Sequence, residues 1–565
     1  MKDRVSLTDF LMYHKETHPI SFHMPGHKGR STLYGIYGFG DFIKNVIGND
    51  ITEIPGADAL QQPRERIKEM MDSYAGLYGA RHTELLVNGS SAGLMAAILG
   101  TVSRGNKLLM GRNSHRSVYG ALRLGGINPA YIMPEIDDET GLQLGLDPNK
   151  IEEALIEDPD IKAVLVTSPN YYGVLSDIER IANIVHLHGR TLIVDQAHGA
   201  HLKFFDYLRS EDGLPHRAAE NCGADIVVDS THKTLLSFTG SAILNICTER
   251  PDVPRISELL RMLQTTSPSY LLMGSLDINQ QILRMDGYNL IKNWDADIKY
   301  FYEEAAQIDG LGLIDRIDLD ETKVSITMSA LGLGGPELAA ELEKRNIWVE
   351  LTHGDYVMLM TGIGNERGDY EDILTALRDL SAKYRGRITA AEKAAREERS
   401  QNLESTTELK SSSSSPENGS NRMETAQSES VSDSNRTETA QGELKEVSNR
   451  TETVADITDS AHEATAHVTP TSNSMLIERL EQRRIPDTYE EVPLYSAEGR
   501  VLYESIIPYP PGSPIACPGE VLSKSVILYI RDQLVAQHVV LGVDEEGRVK
   551  VEPDCVLFKE VSGDL

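Results

Sequence analysis

A chain of 565 residues is long enough for three or four domains and more than one hydrophobic core. Its 40% hydrophobic and 25% charged residues are those of a soluble globular protein, and a formal net charge of −31 argues against nucleic acid or an anionic membrane surface as a partner. That charge suits a cationic substrate without defining a site for one. No apolar run approaches the roughly 18 residues that span a bilayer. Met1–Ser6 carries charges but is followed by no apolar signal segment. Cys222, Cys247, Cys517 and Cys555 are too scattered for a CxxC or metal-ligand pattern. These features together predict a reduced, cytoplasmic protein with no metal site.

Residues 1–60, rich in Gly, His and Pro, read as an N-terminal arm with short helices. Over residues 61–274 strands and helices alternate. Lys107–Met110, Ala130–Met133, Ala163–Thr167, Leu192–Val194, Ile226–Val228 and Ala242–Ile246 read as short buried strands, with helices such as Ile151–Glu157 and Ile178–His188 between some of them. That alternation predicts a mostly parallel sheet covered by helices on both faces. Residues 275–394 mix long helices with strands at Val324–Met328 and Val357–Met360, a smaller α/β domain.

The composition then changes abruptly over 395–474. Residues 400–474 hold no Phe, Tyr or Trp and carry 13 acidic against 5 basic residues. Within them Ser420-Asn421-Arg422-Met423-Glu424-Thr425 recurs from Ser434 and again from Ser448, a 14-residue period. Such a stretch lacks the apolar positions a solenoid needs and cannot offset its own ordering entropy, so it reads as a disordered linker. Residues 475–565 form a further folded piece of α+β character.

The most informative stretch is Ser230-Thr231-His232-Lys233, which sets a lysine directly behind the apolar strand Ile226–Val228. Desolvation there depresses the amine's pKa and makes it a better nucleophile toward a carbonyl. A lone lysine at a strand end is more often a surface residue, but two other features accompany this one. Leu192–Val194 is a second apolar strand and ends in the carboxylate of Asp195, while Asn88-Gly89-Ser90-Ser91 opens a helical run. A lysine for a Schiff base, an aspartate for a pyridinium nitrogen and a helix start for a phosphate describe a pyridoxal 5'-phosphate (PLP) site. The Gly332–Gly335 cluster is not a GxGxxG after a strand and does not suggest a dinucleotide.

Seven motifs in this order resemble the bacterial Orn/Lys/Arg decarboxylase family, in its shorter members without an N-terminal receiver-like domain. They are Phe22–Gly29, Asp50–Gly56, Val87–Gly93, Asp195–His201, Ser230–Lys233, Thr265–Tyr270, and Pro508–Gly512 with Pro518-Gly519-Glu520. The resemblance implies an aspartate-aminotransferase-like PLP fold type I. It also implies decarboxylation of arginine, lysine or ornithine to an amine used in polyamine biosynthesis. By the same resemblance Lys233 carries the cofactor, Asp195 lies beneath its ring nitrogen, and Ser90, Ser91, Ser230 and His232 reach its phosphate. His115 would stack on the ring, and His198 would border the ring or the substrate carboxylate. Thr265 and Thr266 would reach the neighbouring subunit's phosphate, making the active site a property of a homodimer or higher even oligomer.

His23, His27 and Lys28 suggest a metal cage at first sight, but no third ligand has suitable spacing. An arm folded over the site entrance is what the resemblance implies, with His27 near the substrate. The distal cation needs a carboxylate, for which Asp50, Glu53, Asp58 and Glu520 are the candidates. The chain departs from the family pattern at Gln61-Gln62, Arg116, Gln196 and Gly240. None of these removes a cofactor contact, though Gln61 and Gly240 bear on substrate identity. Two other readings stand beside this one: aminotransfer or another lyase step on the same fold, and a catalytically silent homologue that acts as a binding partner.

Overall fold

The computed structural model describes residues 6–387, 480–483, 485–486, 488–509, 513–535 and 539–553. The acidic repeats, Pro510–Gly512 and Cys555 lie outside the described residues. The described parts before 387 and after 479 belong to one compact unit.

The arm begins with helix α1 (Leu7–Glu16), strand β1 (Ile20–Phe22) and the short helices α2 (Ser31–Ile36), α3 (Gly40–Lys44) and α4 (Val46–Asn49). The first layered region then runs α5 (Arg66–Tyr78), β2 (His82–Leu86), α6 (Gly89–Thr101), β3 (Lys107–Gly111), α7 (Arg116–Gly125) and β4 (Asn128–Ile132). It continues through α8 (Pro148–Glu157), β5 (Ile161–Thr167), α9 (Ile178–Leu187), β6 (Thr191–Asp195) and α10 (Leu202–Glu211). The last elements are β7 (Ile226–Asp229), the single turn α11 (Thr231–Thr234), β8 (Ala242–Ile246) and α12 (Val253–Leu263).

The strands form one seven-stranded sheet in the order β2-β8-β7-β6-β5-β3-β4. Only β8 runs against its neighbours, β2 and β7. Successive side chains of a strand point to opposite faces, and this sheet has a core on each. Ile193, Ile226 and Val228 pack with α6, α7 and α12, whereas Leu192, Val194 and Val227 pack with α8 and α9. Two-sided burial explains why the strands read as continuous apolar runs instead of alternating ones. Each such side chain contributes roughly 1.5–3 kcal/mol of transfer free energy.

Three details differ from the sequence expectation for physical reasons. Helix α8 starts at Pro148, earlier than its first apolar residue, because Asp147 accepts the Asn149 N–H and Pro148 fits the first turn. Strand β4 is Asn128–Ile132 instead of Ala130–Met133, its register fixed by parallel pairing with β3. The edge strand β2, diluted by His82, Thr83 and Glu84, gave no apolar run to notice.

The smaller region contains the 36-residue helix α13 (Tyr270–Ala305), β9 (Gly312–Leu313), β10 (Lys323–Thr327), α14 (Gly335–Glu343), β11 (Ile347–Val349), β12 (Leu351–His353), β13 (Tyr356–Met360) and α15 (Arg367–Tyr384). Its sheet is antiparallel, in the order β12-β13-β10-β9. Strand β1 of the arm pairs in parallel with β11, so the arm is stitched to this region. The C-terminal piece carries β14 (Glu490–Pro493), β15 (Ile507–Tyr509), α16 (Lys524–Val535), β16 (Val539–Leu541) and β17 (Arg548–Val551) around its own apolar core.

Candidate active site

The chemistry gathers where β2, β3, β6 and β7 give way to the segments that follow them. The carboxyl ends of parallel strands are where open α/β sheets place their ligands. Asp195 ends β6 with its carboxylate buried, and Oδ1 accepts the Ala197 N–H at 3.2 Å. Oδ2 has no hydrogen-bond partner among the described residues. Burial raises the pKa of this carboxyl, and the nearby Lys233 opposes that shift. Lys233 sits on α11 directly after β7, and burial lowers its amine while Asp195 and Glu350 pull the other way. The pair amounts to a carboxylate with a spare oxygen beside a desolvated amine.

Helix α6 opens at Gly89, whose φ of +71° is a left-handed value that glycine adopts without strain. No side chain caps this helix, and the Gly89 N–H donates to the Gly240 carbonyl. Its first-turn N–H groups and the half-buried Ser90 and Ser91 are therefore open to an anion. Ser230 is fully buried and its hydroxyl has no partner among the described residues. A buried hydroxyl left unpaired is costly, and a ligand's polar group here would satisfy it. His232 contacts the Ser241 carbonyl through Nδ1 at 2.7 Å, and burial depresses its pKa to about 4.

His115 caps α7, bonding Ser117 at 2.8 Å, and burial together with Lys233 lowers its pKa to about 4. His198 lies between two lysines, with Nε2 at 2.9 Å from Lys233 Nζ and Nδ1 at 3.4 Å from Lys323 Nζ. The edge of Tyr171 meets its ring at 4.8 Å, and the Tyr171 hydroxyl donates to Glu350 at 2.8 Å. The other oxygen of Glu350 accepts the Met24 N–H from the arm at 3.0 Å.

The arm motif is locked against α11. Gly26 N–H donates to the His232 carbonyl, and a Cβ on Gly26 would lie 2.3 Å from the Thr234 carbonyl carbon, so only glycine fits. Lys28 is buried, donates to the His23 and Met360 carbonyls, and is lowered to about 7 by burial. His27 packs on Tyr34 and Phe238, its Nδ1 accepting the Gly29 N–H, and burial lowers its pKa to about 4. Among the described residues, no three His, Cys, Asp or Glu side chains are grouped to hold a metal.

Two expected substrate carboxylates are committed elsewhere. Asp58 accepts four backbone N–H groups, from Ala59, Arg64, Glu65 and Ile67, and closes the turn that leads into α5. Glu520 forms a two-pronged pair with Arg112, at 2.8 and 3.2 Å, and also accepts the Cys517 N–H at 2.7 Å. That pair is almost completely buried and ties the C-terminal piece to the end of β3. Each of these carboxylates is already engaged within this chain. Asp50 and Glu53 are exposed on the arm, and Thr265 and Thr266 are exposed before α13, with the Thr265 carbonyl accepting from Gln61 at 2.9 Å. Sequence reasoning missed Lys323, Glu350 and Tyr171. Lys323 had the same signature as Lys233, a lysine beside an apolar strand, whereas Glu350 and Tyr171 carry no local signal.

The arrangement can therefore hold a phosphate at α6, pair a cationic ring nitrogen at Asp195 and present an amine at Lys233, on the layered sheet of a fold type I enzyme. The family model for the Orn/Lys/Arg decarboxylase major domain matches residues 5–317, and that for the family's C-terminal domain matches 460–544. An arginine decarboxylase of Bacillus anthracis is 33% identical over 367 residues, covering 63% of this chain and 72% of that protein. One from Bacillus subtilis is 35% identical over 352 residues, covering 60% and 70%. The crystal structure of the Francisella novicida lysine decarboxylase superposes with a TM-score of 0.64 at 17% identity, covering 96% of this chain and 80% of that one. The chain belongs to the Orn/Lys/Arg decarboxylase family and is an amino-acid decarboxylase, a carboxy-lyase.

Proposed function

We propose that this enzyme uses PLP to decarboxylate a basic amino acid, arginine first among arginine, lysine and ornithine, to the corresponding amine. The observation that carries the reading is the buried Asp195, with one unpaired oxygen, beside the desolvated Lys233. The unpaired Ser230 hydroxyl and the uncapped α6 fit the phosphate of the same cofactor. The relatives of 33–35% identity named arginine decarboxylase favour arginine.

Bound PLP supplies an electron sink for the pair released when the Cα–carboxylate bond breaks. Lys233 would hold the cofactor through its amine, and the burial that lowers its pKa favours the neutral, nucleophilic form that such attachment needs. Asp195 would face the cofactor's ring nitrogen, where its buried carboxylate would favour the protonated form. Ser90, Ser91, Ser230 and His232 would hold the phosphate end, and His115 would lie on the ring side of the site. His198 contacts Lys233 and is placed to pass a proton to and from its Nζ.

The exposed Thr265 and Thr266 support a homodimeric site. So does the arm's apolar surface, where Leu7, Phe10, Leu11, Met12 and Tyr13 of α1 are exposed. The same reading divides the chain into an arm (1–60), a cofactor domain (61–274), a smaller domain (275–394), a linker (395–474) and a C-terminal domain (475–565), in a cytoplasmic enzyme of polyamine synthesis. The test is purified protein with PLP and each of the three amino acids, measuring carbon dioxide, amine and keto acid. Stoichiometric carbon dioxide and amine are expected. Keto acid instead would establish aminotransfer, and no turnover with any of the three would leave the silent homologue.

A further inference from the structure

We propose that the C-terminal piece is a positioning element of the cofactor site: its segment Ser513–Glu520 holds, through Arg112 and Asn113, the backbone that presents His115. The inference rests on His115 as a residue on the ring side of the cofactor. Segment Gly111–His115 joins β3 to α7, and His115 ends it as the cap of that helix, facing Lys233. The holding segment owes its shape to a short motif. Cys517-Pro518-Gly519-Glu520 is a tight turn, closed by the Glu520 N–H on the Cys517 carbonyl at 3.0 Å. Proline suits its second position, and Gly519 takes the φ of +85° that the third demands. A Cβ on Gly519 would lie 2.6 Å from the Arg483 carbonyl oxygen, so only glycine fits. The Glu520 side chain folds back to accept the Cys517 N–H at 2.7 Å, which fixes its carboxylate toward Arg112.

Arg112 decides how the two parts meet. A guanidinium has five N–H donors and cannot shed its charge. Nε and Nη2 donate to the two oxygens of Glu520 at 3.2 and 2.8 Å. Nη1 donates to the Pro514 carbonyl at 2.7 Å, and Nη2 to that of Ile515 at 3.4 Å. The fifth bond, from Nη1 at 3.0 Å, goes to the Tyr119 hydroxyl of α7. Four of the five bonds of this buried cation are therefore made by the C-terminal piece. Without them the charge would keep one hydrogen bond and the ring faces of Tyr119 and Tyr131, each 5.6 Å from its guanidinium carbon. A charge so poorly paired has to reach water, and the segment that carries it has to move.

The backbone carbonyls of the same segment complete the account. That of Gly111 accepts from Ser114, from the N–H at 3.1 Å and from the hydroxyl at 2.7 Å. That of Arg112 accepts from the Tyr119 hydroxyl at 2.6 Å. That of Asn113 accepts from the hydroxyl of Ser513, in the C-terminal piece, at 3.0 Å. On the other side, Gln143 accepts from the Asn113 side-chain amide at 2.9 Å. The C-terminal contacts thus fall three and two residues before His115, one on a side chain and one on the main chain. Each fixes the path of the chain into the residue that caps α7.

The test is a mutant cycle in the full-length protein, read by titrating apo-protein with PLP and following the visible band. Arg112→Met combined with Glu520→Gln removes both buried charges and keeps an acceptor for the Cys517 N–H. Denaturation of that apo-protein should therefore change little. PLP should nevertheless bind about tenfold more weakly, because the site is no longer pre-organised, and the circular dichroism of the bound cofactor should change. Ser513→Ala, which removes one hydrogen bond, should weaken binding by about threefold. In His115→Ala, itself expected to bind PLP more weakly, neither change should weaken binding further, since both act through His115. Effects that add in full to that of His115→Ala overturn the proposal, and so does wild-type PLP affinity in both the double variant and Ser513→Ala. If the double variant fails to fold, Ser513→Ala carries the same cycle alone. Borohydride reduction and peptide mapping keep the two readings separable. A label away from Lys233, or wild-type affinity in His115→Ala, removes the site reading and the positioning role with it. Additive effects in a protein labelled at Lys233 remove the positioning role alone.

Discussion

The groups proposed to hold the cofactor and the carboxylates expected to hold the substrate's cation met different fates in the same fold. Asp195, Lys233, Ser90, Ser91, Ser230 and His232 all lie at the ends of strands of one sheet or immediately after them, where the backbone fixes their positions. Of the four carboxylates, Asp58 caps a turn, Glu520 neutralises Arg112, and Asp50 and Glu53 face solvent. A strand end dictates where its side chain goes, while a loop carboxylate has many ways to be satisfied. The first kind of residue declares its role through its element, and the second only through its partners.

The sharpest way to break that contrast is at Lys233. Lys233→Ala should lower decarboxylation by about 10³-fold or more, since both the covalent anchor and a proton-transfer group are lost. Pyridoxyl labelling after borohydride reduction should disappear with it. A label that persists, or activity near wild type, would end the assignment of the strand-end lysine.

On the other side of the comparison, Glu520→Gln should be read as a loss of stability. It leaves Arg112 buried with an uncompensated charge, and removing one partner of a buried pair typically costs about 3–5 kcal/mol. Chemical denaturation should show this loss, with the KM of correctly folded enzyme little changed. A large KM effect on a normally stable protein would return Glu520 to the substrate.

The layered sheet was legible because two-sided burial writes itself into continuous apolar runs, and Lys233 and Asp195 were legible because each ends or follows such a run. Strand β2 was hidden by its polar residues, since an edge strand needs fewer apolar ones. Lys323 was readable by the logic that found Lys233, but its strand Val324–Met328 was noticed without the lysine before it. Glu350 and Tyr171 were not readable at all. They become neighbours only when the smaller region and the loop after β5 come together over 179 positions of sequence, a tertiary event with no local pattern. The fates of Asp58 and Glu520 depend likewise on partners distant in sequence or on backbone N–H groups.

Asp195→Asn should keep bound cofactor while turnover falls by about 10²-fold, because an amide in that buried position offers no charge to the ring nitrogen. A visible band at full occupancy with near-normal turnover would count against the pairing of Asp195 with the ring nitrogen.

The smallest effect is expected at the exposed arm. With Asp58 and Glu520 committed, Asp50 and Glu53 are the remaining candidates for the substrate's distal cation, and both are exposed on the arm. Neutralising them singly, as Asp50→Asn and Glu53→Gln, should raise the KM for the basic amino acid about tenfold in one variant, equivalent to about 1.4 kcal/mol. The kcat should hold, because a contact made equally in ground and transition states changes KM alone. If both variants keep the wild-type KM, the cation is met inside the chain. Glu350 then becomes the residue to change, since it is the carboxylate beside Lys233 other than Asp195, and its partners, a tyrosine hydroxyl and a backbone N–H, carry no charge.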